Sequence, residues 1–132
     1  MTQKIKVAVL GSTGYVGLEL INILSNHPNV LIKFLGSDSS ANKKINNFDN
    51  RISSKKLPIL SKNSDINISE IDVVFLCLPH GISNKFVKKF FGKTSIIDLS
   101  ADFRLDKINI YKKNYNSKHL CPNLLKKFIY GL

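Results

Sequence analysis

Three short stretches of the chain hold the side chains and backbone turns most able to do chemistry. The first, "GSTGYVG", places Gly11, Gly14 and Gly17 in the order G-x-x-G-x-x-G, with Ser12, Thr13, Tyr15 and Val16 between them. The second, "LPHGIS", puts Pro79 and His80 in a turn, and the third, "IIDLSADFRL", turns abruptly polar at Asp98, Ser100, Asp102 and Arg104. Glycines at such a spacing let a backbone turn sharply and approach a diphosphate closely, while the first N–H groups of a following helix and its positive dipole end receive the charge. An arginine offers a planar fork for a phosphate or carboxylate, and Ser100 can donate to the same oxyanion. Arg104 could instead pair with Asp98 or Asp102 and merely fasten the loop. His80 can bond to backbone as readily as to a ligand, and no second His, Cys or carboxylate lies at metal spacing around it.

These stretches need elements to bring them together. "IKVAVL", Ile5 to Leu10, is a short apolar run ending at Gly11 and reads as a buried parallel strand. The helix that follows has Val16, Leu20, Ile23 and Leu24 at spacings that line one face, which is expected to be the buried one, and "NHPN" ends it. "VLIKFLG", Val30 to Gly36, is a second strand and completes a βαβ unit. Residues 37–69 are rich in Asn, Ser and Lys, and only "LPIL" at 57–60 suggests a short strand. A central strand is expected over Asp72 to Leu78, a helix over Ser83 to Phe91 with Phe86, Phe90 and Phe91 inward, a strand over Ser95 to Leu99, and a last helix around Leu124 to Phe128. This alternation predicts an α/β fold, a Rossmann-like doubly wound and mostly parallel sheet with helices on both faces. In that arrangement ligands lie beyond the carboxyl ends of the strands, so the three chemical stretches and "GSDSS" at 36–40 should converge on one crevice.

Composition narrows the field. With 132 residues, 43% of them hydrophobic, the chain suits one domain with a real core. No apolar run approaches the length of a membrane span or a signal-peptide core, so a cytoplasmic protein is the expectation. Neither Cys77, inside "VVFLCLP", nor Cys121, before a proline, has a metal-type spacing, and a disulfide framework is not expected. A net charge of +11 is compatible with a nucleic-acid binder, yet the lysines come as scattered pairs without aromatic interleaving. They read as solvated faces, with a field attractive to anionic small molecules or nucleic acid as the alternative. For the nucleotide itself the local signals are divided: Asp38 suits the ribose hydroxyls of NAD, whereas Ser37, Ser39 and Lys43 are compatible with NADP.

"GSTGYVG", "VVFLCLPHGIS" and "IIDLSADFRL", in this order and at these separations, resemble the N-acetyl-gamma-glutamyl-phosphate reductase family, relatives of the aspartate-semialdehyde dehydrogenases. The resemblance implies a dinucleotide-binding domain over 1–132, followed in the family by a catalytic domain that also forms a homo-oligomer interface. It implies reduction of an acyl phosphate by NADPH through a cysteine thioester, with N-acetylaminoadipyl phosphate as an analogous substrate. By the same resemblance, Gly11, Ser12, Thr13, Gly14, Tyr15 and Val16 would hold the pyrophosphate, Ser37 and Ser39 the adenosine ribose end, Pro79 and His80 the region by the nicotinamide. Ser100 and Arg104 would meet the substrate's phosphate. Two features depart from the family pattern: Asp38 stands where many relatives have arginine, and the family's Asn-Pro-Gly-Cys nucleophile motif falls beyond Leu132. The expectation is a cofactor-binding part, truncated before the catalytic domain and inactive alone; the rival expectations are a free-standing NAD(P)-binding regulatory module and a nucleic-acid binder.

Overall fold

A computed structural model describes residues 3–52, 56–79 and 81–100. Its sheet has four strands, β1 (Ile5–Leu10), β2 (Val30–Gly36), β3 (Val73–Leu76) and β4 (Ser95–Asp98), in the order β2-β1-β3-β4. All three pairings are parallel. Helix α1 (Tyr15–Ser25) joins β1 to β2, and α2 (Ser83–Phe90) joins β3 to β4.

Alternation along the central strand divides the core in two. Val7 and Val9 pack with Ile21 and Leu24 of α1 and with Ile32 and Leu35 of β2. Ala8 and Leu10 point the other way, to Val74, Leu76 and, from α2, Val87 and Phe90. The two helices therefore cover opposite faces, which is the doubly wound arrangement expected from sequence. Each fully buried Leu, Ile or Val contributes about 1.5–3 kcal/mol, and the β1 side chains Val7 to Leu10 are all inside, so β1 anchors both layers. The chain leaves β1 toward β2 on one side and lies beside β3 on the other. The carboxyl ends of β1 and β3 are thus the point where strand order reverses.

Several expectations need correction. Residues 57–60 form no strand; the chain makes only a single parallel bridge from Ser61 to Gly36, with Ser37 N–H donating to the Ser61 carbonyl (2.8 Å) and Ser61 N–H to that of Leu35 (3.0 Å). Leu60 and its neighbours Ile45 and Ile52 are buried over the α1 face with Leu57 packed against them, whereas Ile59 is exposed, so the two leucines of "LPIL" cover the core. The buried face of α1 is Gly17, Ile21 and Leu24, while Val16 and Ile23 are 53% and 62% exposed. Helix α2 ends one residue earlier than expected, and Phe91 is exposed while Val87 takes the inward place. Strands β3 and β4 are shorter than their apolar runs. The expected helix around 124–128 lies outside the described residues.

Candidate functional site

The β1–α1 turn is closed by backbone and by glycine. Gly11 has φ +79°, a left-handed conformation, and a Cβ there would strike the Cys77 carbonyl group, its carbon only 2.7 Å away. Its N–H donates to the Gly36 carbonyl at 3.0 Å, as does the N–H of Ser12 at 2.9 Å. The Ser12 hydroxyl donates to the Val9 carbonyl at 2.9 Å and is fully buried. Ser12 therefore closes the turn from beneath, with both its donors directed into the protein. Gly17 brings α1 against this turn, since a Cβ would collide with the Gly11 carbonyl oxygen and lie 2.9 Å from the Ser12 carbonyl. Gly14 is the extended N-cap of α1, and no side chain caps it. The first N–H groups of a helix have no intrahelical acceptor, so this end of α1 presents donors outward.

A cavity of about 570 Å³ opens at this point and gathers the ends of three strands. From β1 come Gly11, Thr13, Gly14, Tyr15 and Val16; from β2, Ser37, Asp38 and Ser39; from β3, Cys77, Leu78, Pro79 and Ile82. Its volume falls in the range of about 300–1,000 Å³ usual for small-molecule sites. The Thr13 and Ser37 hydroxyls stand 3.2 Å apart, and Ser37 and Ser39 3.5 Å apart, giving a row of hydroxyls across the β1 and β2 ends. Among the described residues lining it, Asp38 is the one that carries a charge. Ser100 is not among the lining residues; it is buried, with its N–H donating to the Asp98 carboxylate at 2.8 Å. His80 and Arg104 lie outside the described residues.

One residue of the site carries no signal in the sequence. Asn63, buried at the start of a single 3-10 turn (Asn63–Asp65), also lines the cavity. Its side-chain oxygen accepts from Gly11 N–H at 3.3 Å, and it packs on Gly36 so closely that no Cβ would fit there. Its own N–H donates to Asp38 Oδ1 at 2.8 Å. A pattern search along the chain cannot see a bond that spans fifty-two positions between Asn63 and Gly11.

Cys77 touches the cavity but is not poised to react. Burial, and after it the negative charge of Asp98, pushes its thiol up to about 12. Reactive cysteines need the opposite, an electropositive setting that favours thiolate. Among the described residues no cluster of His, Cys, Asp or Glu could hold a metal, and no helix is long and apolar enough to cross a membrane.

Comparison with known proteins agrees with this geometry. The aspartate semialdehyde dehydrogenase of Candida albicans, solved with NADP, superposes with a TM-score of 0.65 at 30% identity over 80% of this chain and 32% of that one. The N-acetyl-gamma-glutamyl-phosphate reductase of Ehrlichia chaffeensis is 46% identical over the whole chain and 38% of its own length. That of Paracoccus denitrificans is 39% identical over 97% of the chain and 37% of its own length. The chain thus spans less than two fifths of the curated relatives it matches. Residues 6–132 match the family described as semialdehyde dehydrogenase, NAD binding domain, and the chain belongs to that family.

Proposed function

We propose that this chain is the dinucleotide-binding part of an enzyme that reduces N-acetyl-gamma-glutamyl phosphate to N-acetylglutamate semialdehyde, with NADPH as reductant and release of phosphate. The observation that carries the reading is the meeting of the glycine turn, the Ser37–Ser39 hydroxyls and Pro79 in one cavity at the strand-order reversal. An uncapped helix start and a row of hydroxyls fit a dinucleotide: the turn from Thr13 to Val16 would take the diphosphate, and Ser37 and Ser39 the adenosine ribose end. Pro79, with His80 beside it in sequence, would flank the nicotinamide. Bound there, NADPH supplies the hydride that converts an acyl thioester to an aldehyde.

The assignment of Ser100 and Arg104 to the substrate's phosphate rests on the "DLSADFR" resemblance. The covalent step is assigned to the additional polypeptide of the longer relatives, because Cys77 holds its proton too tightly to serve as nucleophile. The reading is tested by titrating NADPH into the 132-residue chain and following nicotinamide fluorescence. Saturable binding is expected, with acyl-phosphate reduction at background until the separately expressed remainder of a relative is added. Failure of both NADPH and NADH to bind would end the proposal, and appreciable turnover by the 132-residue chain alone would refute the division of labour. A stand-alone binding module would gain nothing from the added part.

A further inference from the structure

Asp38 stands where an acidic residue ordinarily takes the ribose hydroxyls of a bound dinucleotide. Its geometry serves another purpose. Oδ1 accepts from the N–H of Asn63 at 2.8 Å, and Asn63 in turn accepts from the N–H of Gly11 at 3.3 Å while its side chain packs on Gly36. Gly36 also accepts, through its carbonyl, from Gly11 and Ser12 N–H at 3.0 and 2.9 Å. The carboxylate is therefore the outer end of a short relay, from Asp38 to Asn63 to Gly11, that fixes the height of the glycine turn over the end of β2. Asn63 is 4% exposed, so loss of its anchor would leave a buried amide to repack against the turn.

We propose that Asp38 is a positioning residue acting through Asn63 on the Gly11 turn, rather than a ribose ligand that discriminates NAD from NADP. The inference rests on the dinucleotide reading above. It has a consequence that a ribose ligand would not share: NADH and NADPH must feel the loss of Asp38 alike, because both place the same diphosphate on the same turn. A carboxylate bonded to the ribose would give the opposite pattern, since its removal weakens NADH and leaves NADPH, which carries a 2′-phosphate at that position, unchanged or tighter.

The test measures NADH and NADPH dissociation constants for the 132-residue chain and three variants. Asp38→Ala should weaken both nucleotides in parallel, by about five- to tenfold, the scale of the net worth of one hydrogen bond. Asp38→Asn keeps an acceptor oxygen for the Asn63 N–H and should restore both affinities to within about threefold. Asn63→Ala should reproduce Asp38→Ala, and combining the two should cost no more than either, as expected for residues in one relay. Selective loss of NADH binding in Asp38→Ala or Asp38→Asn would overturn the proposal, as would an Asp38→Ala variant that binds both nucleotides like the parent. Amide hydrogen exchange at Gly11 and Ser12 gives a readout that needs no nucleotide. It should quicken in Asp38→Ala and return to the parent rate in Asp38→Asn; unchanged exchange in Asp38→Ala also overturns the relay. If the parent chain binds neither nucleotide while exchange responds as stated, the dinucleotide reading falls and the relay stands as a structural device.

Discussion

Cys77 lies at the end of β3 with its carbonyl against Gly11 and its N–H donating to the Leu10 carbonyl at 2.8 Å. This backbone role explains the residue type: a small, weakly polar side chain fills the gap where β1 and β3 end together. A thiol raised to about 12 is protonated throughout the physiological range. At pH 8 its thiolate fraction is roughly a thousandfold below that of an ordinary cysteine, whose pKa is about 8.5. In a Cys121→Ser variant, which leaves Cys77 as the one thiol, iodoacetamide should therefore react at least about a hundredfold more slowly with the native chain than with the same chain unfolded in urea. Because the folded value lies above the unfolded one, the native state holds this proton more tightly. Its contribution to stability is complete below about pH 8.5 and is lost as pH climbs toward 12. Native alkylation as fast as that of the unfolded chain would contradict the assignment and make Cys77 a candidate nucleophile.

The α1 element shows how a glycine turn constrains a whole helix. Gly17 sits on the backbone of Gly11 and Ser12, atoms that cannot rotate away as a side chain would, whereas a Cβ at Gly14 would have its nearest neighbour 4.0 Å off. Gly17→Ala should destabilise the fold by about 1–3 kcal/mol, the cost of overpacking, less up to about 1 kcal/mol returned by helix propensity. Gly14→Ala should change thermal stability little and yet weaken NADPH, since its methyl group enters the space proposed for the diphosphate. Thermal melts and nucleotide titrations of the two variants separate packing from binding; equal losses of stability would show that the two glycines do the same work. This same constraint explains what could be read along the chain. The runs Ile5–Leu10 and Val30–Gly36 matched β1 and β2 residue for residue: the left-handed Gly11 stops β1, and the apolar run of β2 gives way to polar residues directly after Gly36. The inward face of α1 was not legible: Tyr15, Val16, Leu18, Leu20, Ile21, Ile23 and Leu24 leave apolar residues nearly all round the helix, and only the seat of Gly17 on the turn selects the rotation. "LPIL" was misread as a strand and Asn63 was missed for a related reason, since the contacts of Ser61 with β2 and of Asn63 with the turn are long-range and periodicity does not encode them.

At the scale of the molecule, the charge and the cavity pull in different directions. The full chain carries +11, yet among the described residues lining the cavity there is no lysine or arginine and there is one carboxylate, Asp38. Lys33, Lys43, Lys44, Lys85, Lys88, Lys89 and Lys93 are instead exposed on the surface. A dinucleotide reaching this cavity would thus feel a diffuse positive field more than direct ion pairs, and a diffuse field is screened once the Debye length falls to about 8–10 Å near 0.1–0.15 M salt. NADPH affinity should accordingly fall about two- to fivefold between 20 and 150 mM salt and then level off, with NADH responding less because it lacks the 2′-phosphate charge. Direct pairing with several lysines would give a different curve, in which log affinity keeps falling linearly with log salt, as it does for proteins that neutralise a phosphate backbone. Competition by a short DNA duplex separates the two uses of the charge. At 150 mM salt the duplex should leave bound NADPH undisturbed, whereas displacement of NADPH with a steep salt slope would mean that the lysine surface and the cavity serve a nucleic acid.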